Sequence, residues 1–145
     1  MIVYADSSAL AKRYISESGS GEVETLLRLA EVVGTGLITR AEVSAALARL
    51  VRTGALRRQV AETILKVFRK HWLELTTIQL TEALVAEADS LAWEQDLRGY
   101  DAVHLASALS WQRGLDSVVT LATFDADLWG AGQRVGLGVW PERVE

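Results

Sequence analysis

Cysteine is absent from the 145-residue chain. There is therefore no disulfide framework, no thiolate nucleophile and no cysteine-ligated zinc or iron–sulfur centre, as a reducing cytoplasm calls for. Histidine is nearly as scarce, and the two present, His71 and His104, leave little for a histidine-rich metal site. A single proline and a charged fraction of 23% exclude collagen-like and disordered chains. Long apolar runs are missing too. The longest stretch without a formal charge, residues 102–112, has eleven residues, short of the roughly twenty that cross a bilayer. The N-terminal Met1-Ile2-Val3-Tyr4-Ala5-Asp6 has no basic region and meets an acid at once, so no secretion signal is expected. The expected location is cytoplasmic, with no membrane partner.

What is present is a packed composition: half the residues are hydrophobic. The length predicts one domain, residues 1–145. The net charge of -4 is unevenly spread. Residues 1–39 carry three Lys/Arg against five acids, residues 40–70 eight against two, and residues 71–145 four against twelve. A basic segment between acidic ones suits a polyanion held by one part of the surface and cations held by another. Solvated helix faces produce the same pattern.

Strand and helix signals alternate along the chain. Ile2-Val3-Tyr4-Ala5 reads as a strand, and Asp6-Ser7-Ser8 caps a helix through Tyr14. A second helix starts near Glu22, and residues 32–38 form a strand interrupted by glycine. Thr39-Arg40-Ala41-Glu42 has the spacing of a capping box. It opens a helix that Gly54 ends, and a partner helix over residues 56–70 completes a hairpin. Residues 72–76 are expected as a short strand, residues 81–95 as a helix closed by Gly99, and Asp101 as the opening of another helix to Gly114. Residues 117–124 form the clearest strand, Asp125 turns it into a short helix, and residues 135–140 alternate as an edge strand does. The expected fold is α/β: a three-layer α/β/α sandwich around a mainly parallel sheet of four or five strands.

In such sheets ligands collect beyond the carboxyl ends of the strands. Asp6 and Asp125 directly follow strands, Glu42 lies in the first helical turn after another, and Asp101 starts its own helix. Each acid also reads as a helix cap or dipole partner, worth about 1 kcal/mol. Their joint placement favours a site, because caps occur at either end of a sheet and are as often Ser, Thr or Asn. Carboxylates about 4 Å apart repel by roughly 4 kcal/mol at an effective dielectric of 20, so a cluster of them needs protons or cations. Mg2+ or Mn2+, hard ions that take oxygen ligands and bridge to phosphate, are the natural partners, and metal-assisted phosphodiester hydrolysis is the implied chemistry.

Asp6-Ser7-Ser8-Ala9-Leu10, Thr39-Arg40-Ala41-Glu42-Val43, Tyr100-Asp101-Ala102-Val103-His104-Leu105 and Thr123-Phe124-Asp125-Ala126-Asp127-Leu128 resemble the four successive acidic motifs of the PIN-domain nucleases. Size and motif order are similar to those of single-domain VapC-type toxins from toxin–antitoxin pairs. The resemblance implies that Asp6 and Asp101 bind Mg2+ (or Mn2+) directly and that Glu42 and Asp125 complete the catalytic site. Asp127 offers a second acid in the fourth motif, with Asp125 preferred because it follows the strand directly. Ser7 and Thr123 stand where the family keeps small hydroxyls that support those carboxylates. A cytoplasmic endoribonuclease cutting RNA, held inactive by a cognate antitoxin and commonly a homodimer, is what the resemblance implies.

Arg40, Arg49 and Arg52 are candidates for RNA phosphates, against a plain solvated face. His104 reads as a structural histidine rather than a base, since two-metal hydrolysis needs none. The five tryptophans are scattered and read as packing. Two other functions compete: a catalytically silent PIN-like scaffold, and a receiver-like magnesium-binding signalling domain. The second lacks an acid pair after the first strand and a late lysine, the three lysines standing at 12, 66 and 70.

Overall fold

The computed structural model describes residues 1–145. Strands β1 (Ile2–Ala5), β2 (Val32–Gly36), β3 (Thr76–Ile78), β4 (Val119–Ala122) and β5 (Gly138–Trp140) form one five-stranded sheet in the order β3-β2-β1-β4-β5. Every pairing is parallel. Seven α-helices connect the strands: α1 (Ser7–Ala11), α2 (Ser20–Leu29), α3 (Thr39–Arg52), α4 (Arg58–His71), α5 (Glu82–Gln95), α6 (Gly99–Leu115) and α7 (Ala126–Arg134).

The alternation of β1 assigns the layers. Tyr4 enters a core with Leu84, Leu91, Leu105, Leu121 and Leu128, which belong to α5, α6, β4 and α7. Val3 and Ala5 enter the opposite core with Leu10, Leu26, Val43, Leu47 and Phe68, from α1 to α4. A fully parallel sheet needs this cover on both faces.

Several local expectations shift. The predicted capping box is not formed: Ile38 occupies the N-cap without a side-chain cap bond, and Thr39 is a buried first-turn residue. Its hydroxyl lies 2.8 Å from that of Thr35, which donates to the Ala5 carbonyl, so the threonine ties β2 to the helix behind it. Residues 72–74 form a 3-10 turn and the strand starts at Thr76. Gly99 does not close α5 but begins α6. Asp96, in the left-handed region at φ 54°, ends α5 instead, a role that aspartate and asparagine tolerate better than most residues.

The glycine interruption of β2 has a packing cause. A Cβ at Gly34 would stand 2.5 Å from the Trp111 ring of α6, and one at Gly36 would stand 2.6 Å from the Tyr4 hydroxyl. The helix and the tyrosine thus approach the sheet as closely as hydrogen in place of a side chain permits. Gly34→Ala is expected to lower unfolding stability by about 1–3 kcal/mol in chemical denaturation. Gly21→Ala, in α2 with nothing within 4 Å of the added carbon, is expected to cost nothing.

Candidate functional site

The strand order reverses between β1 and β4, whose carboxyl ends lie side by side at Ala5 and Ala122. This topological switch point is where open α/β sheets form ligand crevices. Asp6 follows β1, and its N–H donates to the Ala122 carbonyl at 3.1 Å. The side chain is buried and saturated by neutral donors. Oδ1 accepts from the Ala9 N–H (2.9 Å) and the Ser8 hydroxyl (2.7 Å), and Oδ2 from the Thr123 hydroxyl (2.6 Å). Burial pushes the Asp6 carboxyl above its ordinary pKa, while neighbouring His104 and the three donors oppose the shift.

Glu42, in the first turn of α3, accepts from the Ser7 hydroxyl at 3.1 Å through Oε2 and from His104 Nε2 at 2.7 Å through Oε1. His104 lies on α6, fully buried, with Nδ1 2.8 Å from the Tyr4 hydroxyl. A carboxylate oxygen only accepts, so His104 Nε2 donates to Glu42, and Nδ1 shares its hydrogen bond with the Tyr4 hydroxyl. Burial pushes the Tyr4 hydroxyl strongly up in pKa, so it stays protonated. The buried histidine thus bridges Tyr4 and Glu42.

Asp101, also in the first turn of α6, faces the same end of the sheet, a matter its local sequence leaves open. Its Oδ2 accepts from Arg98 Nε at 2.8 Å, while another nitrogen of that guanidinium donates to Asp125 Oδ2, also at 2.8 Å. Burial pushes the Asp101 carboxyl up, the bond to Arg98 opposes this, and the charge of Asp125 adds to it. Asp125 caps α7 through Oδ1 and the Leu128 N–H at 2.9 Å. Asp127 is exposed and bonds to nothing at the site. Arg98 and Ser8 escaped the sequence reading. The three-residue spacing of Arg98 and Asp101 is a visible helix-start pairing, but the reach to Asp125 is not local.

The basic candidates run away from this cluster. Arg40 stacks its guanidinium 5.9 Å from the centre of the Trp72 ring. Arg49 and Arg52 follow on exposed positions of α3, about 10 and 15 Å along the helix axis from Glu42. Arg52 and Arg58 rim a groove of about 520 Å³ between α3 and α4, floored by Leu47, Val51, Ala61 and Leu65.

The donor set is carboxylate and hydroxyl oxygen only, which suits a hard divalent ion. No three acidic or histidine side chains are gathered closely enough to hold an ion by themselves. Asp101 and Asp125 do converge on one cationic group, Arg98, which shows that positive charge is stabilised between them. The residues therefore fit an ion that keeps several of its waters, as Mg2+ does.

The PIN domain family model matches residues 3–129. Ribonuclease VapC45 of Mycobacterium tuberculosis is 30% identical over 144 residues, covering 99% of this chain and 98% of that protein. A toxin–antitoxin complex from Klebsiella pneumoniae shares the fold over 100% of both chains, with a TM-score of 0.69 at 15% identity. So does VapC20 of M. tuberculosis, described as a sarcin–ricin loop cleaving toxin, over 90% of this chain and 95% of that one (TM-score 0.65, 18% identity). No helix is long and apolar enough to cross a membrane.

Buried Asp6 has a consequence for stability. A carboxyl whose folded pKa exceeds its unfolded value contributes fully below the unfolded value, and that contribution is lost as pH rises through the folded one. In EDTA, the unfolding midpoint of Asp6→Asn is expected to gain on wild type as the pH rises above about 4. Parallel pH profiles for the two proteins would contradict the burial cost.

Proposed function

The chain belongs to the PIN-domain family and is a nuclease of the VapC ribonuclease type; from that premise we propose that it is a Mg2+-dependent endoribonuclease toxin restrained by a cognate antitoxin. Residues 1–145 act in this reading as one nuclease domain. The observation that supports it is that Asp6, Glu42, Asp101 and Asp125 come from four different connections to the carboxyl side of one parallel sheet, where Thr123, His104 and Arg98 hydrogen-bond them. PIN-domain ribonucleases in general depend on divalent metal ions, and Mg2+, with Mn2+ as a substitute, is the choice that an all-oxygen site supports.

Asp6 and Asp101 are the proposed ligands, with Glu42 and Asp125 completing the catalytic set. When bound, the ion offsets charge on the scissile phosphate and activates a water for attack. The protein's own part is orientation. Thr123 and Ser8 fix the Asp6 carboxylate, and Ser7 and His104 fix that of Glu42. Thr123, Ser8 and Ser7 orient these acids through neutral hydroxyls. Arg40, Arg49 and Arg52 are the proposed contacts for RNA phosphates beyond the scissile one.

The antitoxin belongs to the same reading. The apolar lining of the α3–α4 groove, with Arg52 and Arg58 outnumbering Glu62, matches an amphipathic segment bearing acids. A homodimer is the other assembly that this reading carries.

Asp101→Asn keeps side-chain volume and removes a charge. RNA cleavage is expected to fall about a hundredfold or more while the circular dichroism spectrum is retained, and EDTA is expected to stop the wild-type enzyme. Full activity in either case would overturn the site. For the arginines, RNA binding to the Asp101→Asn protein is measured against salt. Arg49→Gln and Arg52→Gln are each expected to flatten the log–log slope by about 0.7 for a true phosphate contact. An unchanged slope would return these residues to the solvated face.

A further inference from the structure

We propose that Arg98 is a displaceable internal counter-ion of the acidic site, competing with the divalent ion for Asp101 and Asp125 and so setting the ion concentration at which the nuclease becomes active. The proposal rests on the metal-site reading given above.

The four acids are held in two different ways. Asp6 and Glu42 take hydroxyl, backbone and imidazole donors, whereas Asp101 and Asp125 share one guanidinium. No other lysine or arginine hydrogen-bonds any of the four. Asp101 sits on α6 and Asp125 at the start of α7, so nothing in the chain's local geometry obliges them to stay together. Their like charges repel, and Asp127 adds a third negative charge near Arg98. One planar fork that donates to both carboxylates at 2.8 Å offsets that repulsion at a single stroke.

The same fork is easy to remove. The Arg98 side chain is 76% exposed, and its residue precedes α6 in extended conformation. Rotation about side-chain bonds frees it without disturbing helix or core. Exposed ion pairs are individually weak. A divalent ion placed at Asp101 would lie within a few ångströms of the guanidinium. Even where it used the Asp101 oxygen that Arg98 leaves free, the two positive charges would exclude each other. Metal binding and the Arg98 bridge are therefore coupled with negative sign, and by linkage each weakens the other equally.

The test is Mn2+ binding to purified wild type, Arg98→Gln, Arg98→Lys and Asp101→Asn, read by the electron paramagnetic resonance signal of free Mn2+ and independent of cleavage. Arg98→Gln is expected to bind Mn2+ about three- to tenfold more tightly than wild type, with Arg98→Lys between them. Its unfolding midpoint in EDTA is expected to drop, and to recover on adding Mn2+ by more than wild type gains. Equal or weaker Mn2+ binding by Arg98→Gln, with binding lost in Asp101→Asn, would overturn the counter-ion role and leave the metal site standing. Absence of Mn2+ binding in wild type and Arg98→Gln alike would bring down the metal site itself, and this role with it.

Discussion

Everything at the carboxyl end of the sheet depends on keeping one buried carboxylate, that of Asp6, in place. Burying a charge without compensating donors costs several kcal/mol, and here the donors come from both sides of the switch point: Ser8 and Ala9 from α1, Thr123 from the end of β4. These donors are not free to serve Asp6 alone. Ser8 also accepts from the Phe124 N–H at 2.9 Å, and Thr123 from the Asp125 N–H at 3.1 Å. The groups that hold Asp6 therefore also shape the loop that presents Asp125. A change at either hydroxyl propagates to two acids, which makes Ser8 and Thr123 structural parts of the site rather than its decoration.

A second line of support crosses the sheet. Tyr4 in the middle of β1 reaches His104, which reaches Glu42. The tyrosine hydroxyl has room only because position 36 is glycine. Glu42 is thus positioned from the core outward, through fully buried groups with fixed rotamers. Asp101 and Asp125 are positioned from solvent inward, through an exposed arginine.

Much of this was legible in the sequence. Strand–helix alternation, the parallel sheet and the strand-end position of Asp6 and Asp125 follow from periodicity and capping residues within short windows. What was not legible is what depends on pairs distant in sequence. Ser8 serves Phe124 across 116 residues, His104 serves Glu42 across 62, and Arg98 serves Asp125 across 27. The capping box at Thr39 failed for this reason only in its second half: His104, 62 residues away, claims the glutamate, whereas the threonine bonds to Thr35, four residues before it.

A helix-capping role leaves one carboxylate oxygen of each aspartate for another partner. Asp6 caps α1 through Oδ1 and receives Thr123 at Oδ2; Asp125 caps α7 through Oδ1 and receives Arg98 at Oδ2. In both, one oxygen is spent on the orphan N–H of a helix that starts at the end of a strand. That bond fixes the rotamer and aims the second oxygen along the carboxyl edge of the sheet, towards the switch point. Serine or threonine would cap as well but would present no second oxygen, and asparagine would present an amide. Two aspartate-capped helices that follow neighbouring parallel strands thereby convert a local requirement, the satisfaction of helix N-termini, into a pair of carboxylates at the carboxyl ends of β1 and β4. For Asp6 and Asp125, negative charge at the sheet's carboxyl edge is thus a by-product of how the fold begins its helices, and at Asp125 the guanidinium of Arg98 offsets it.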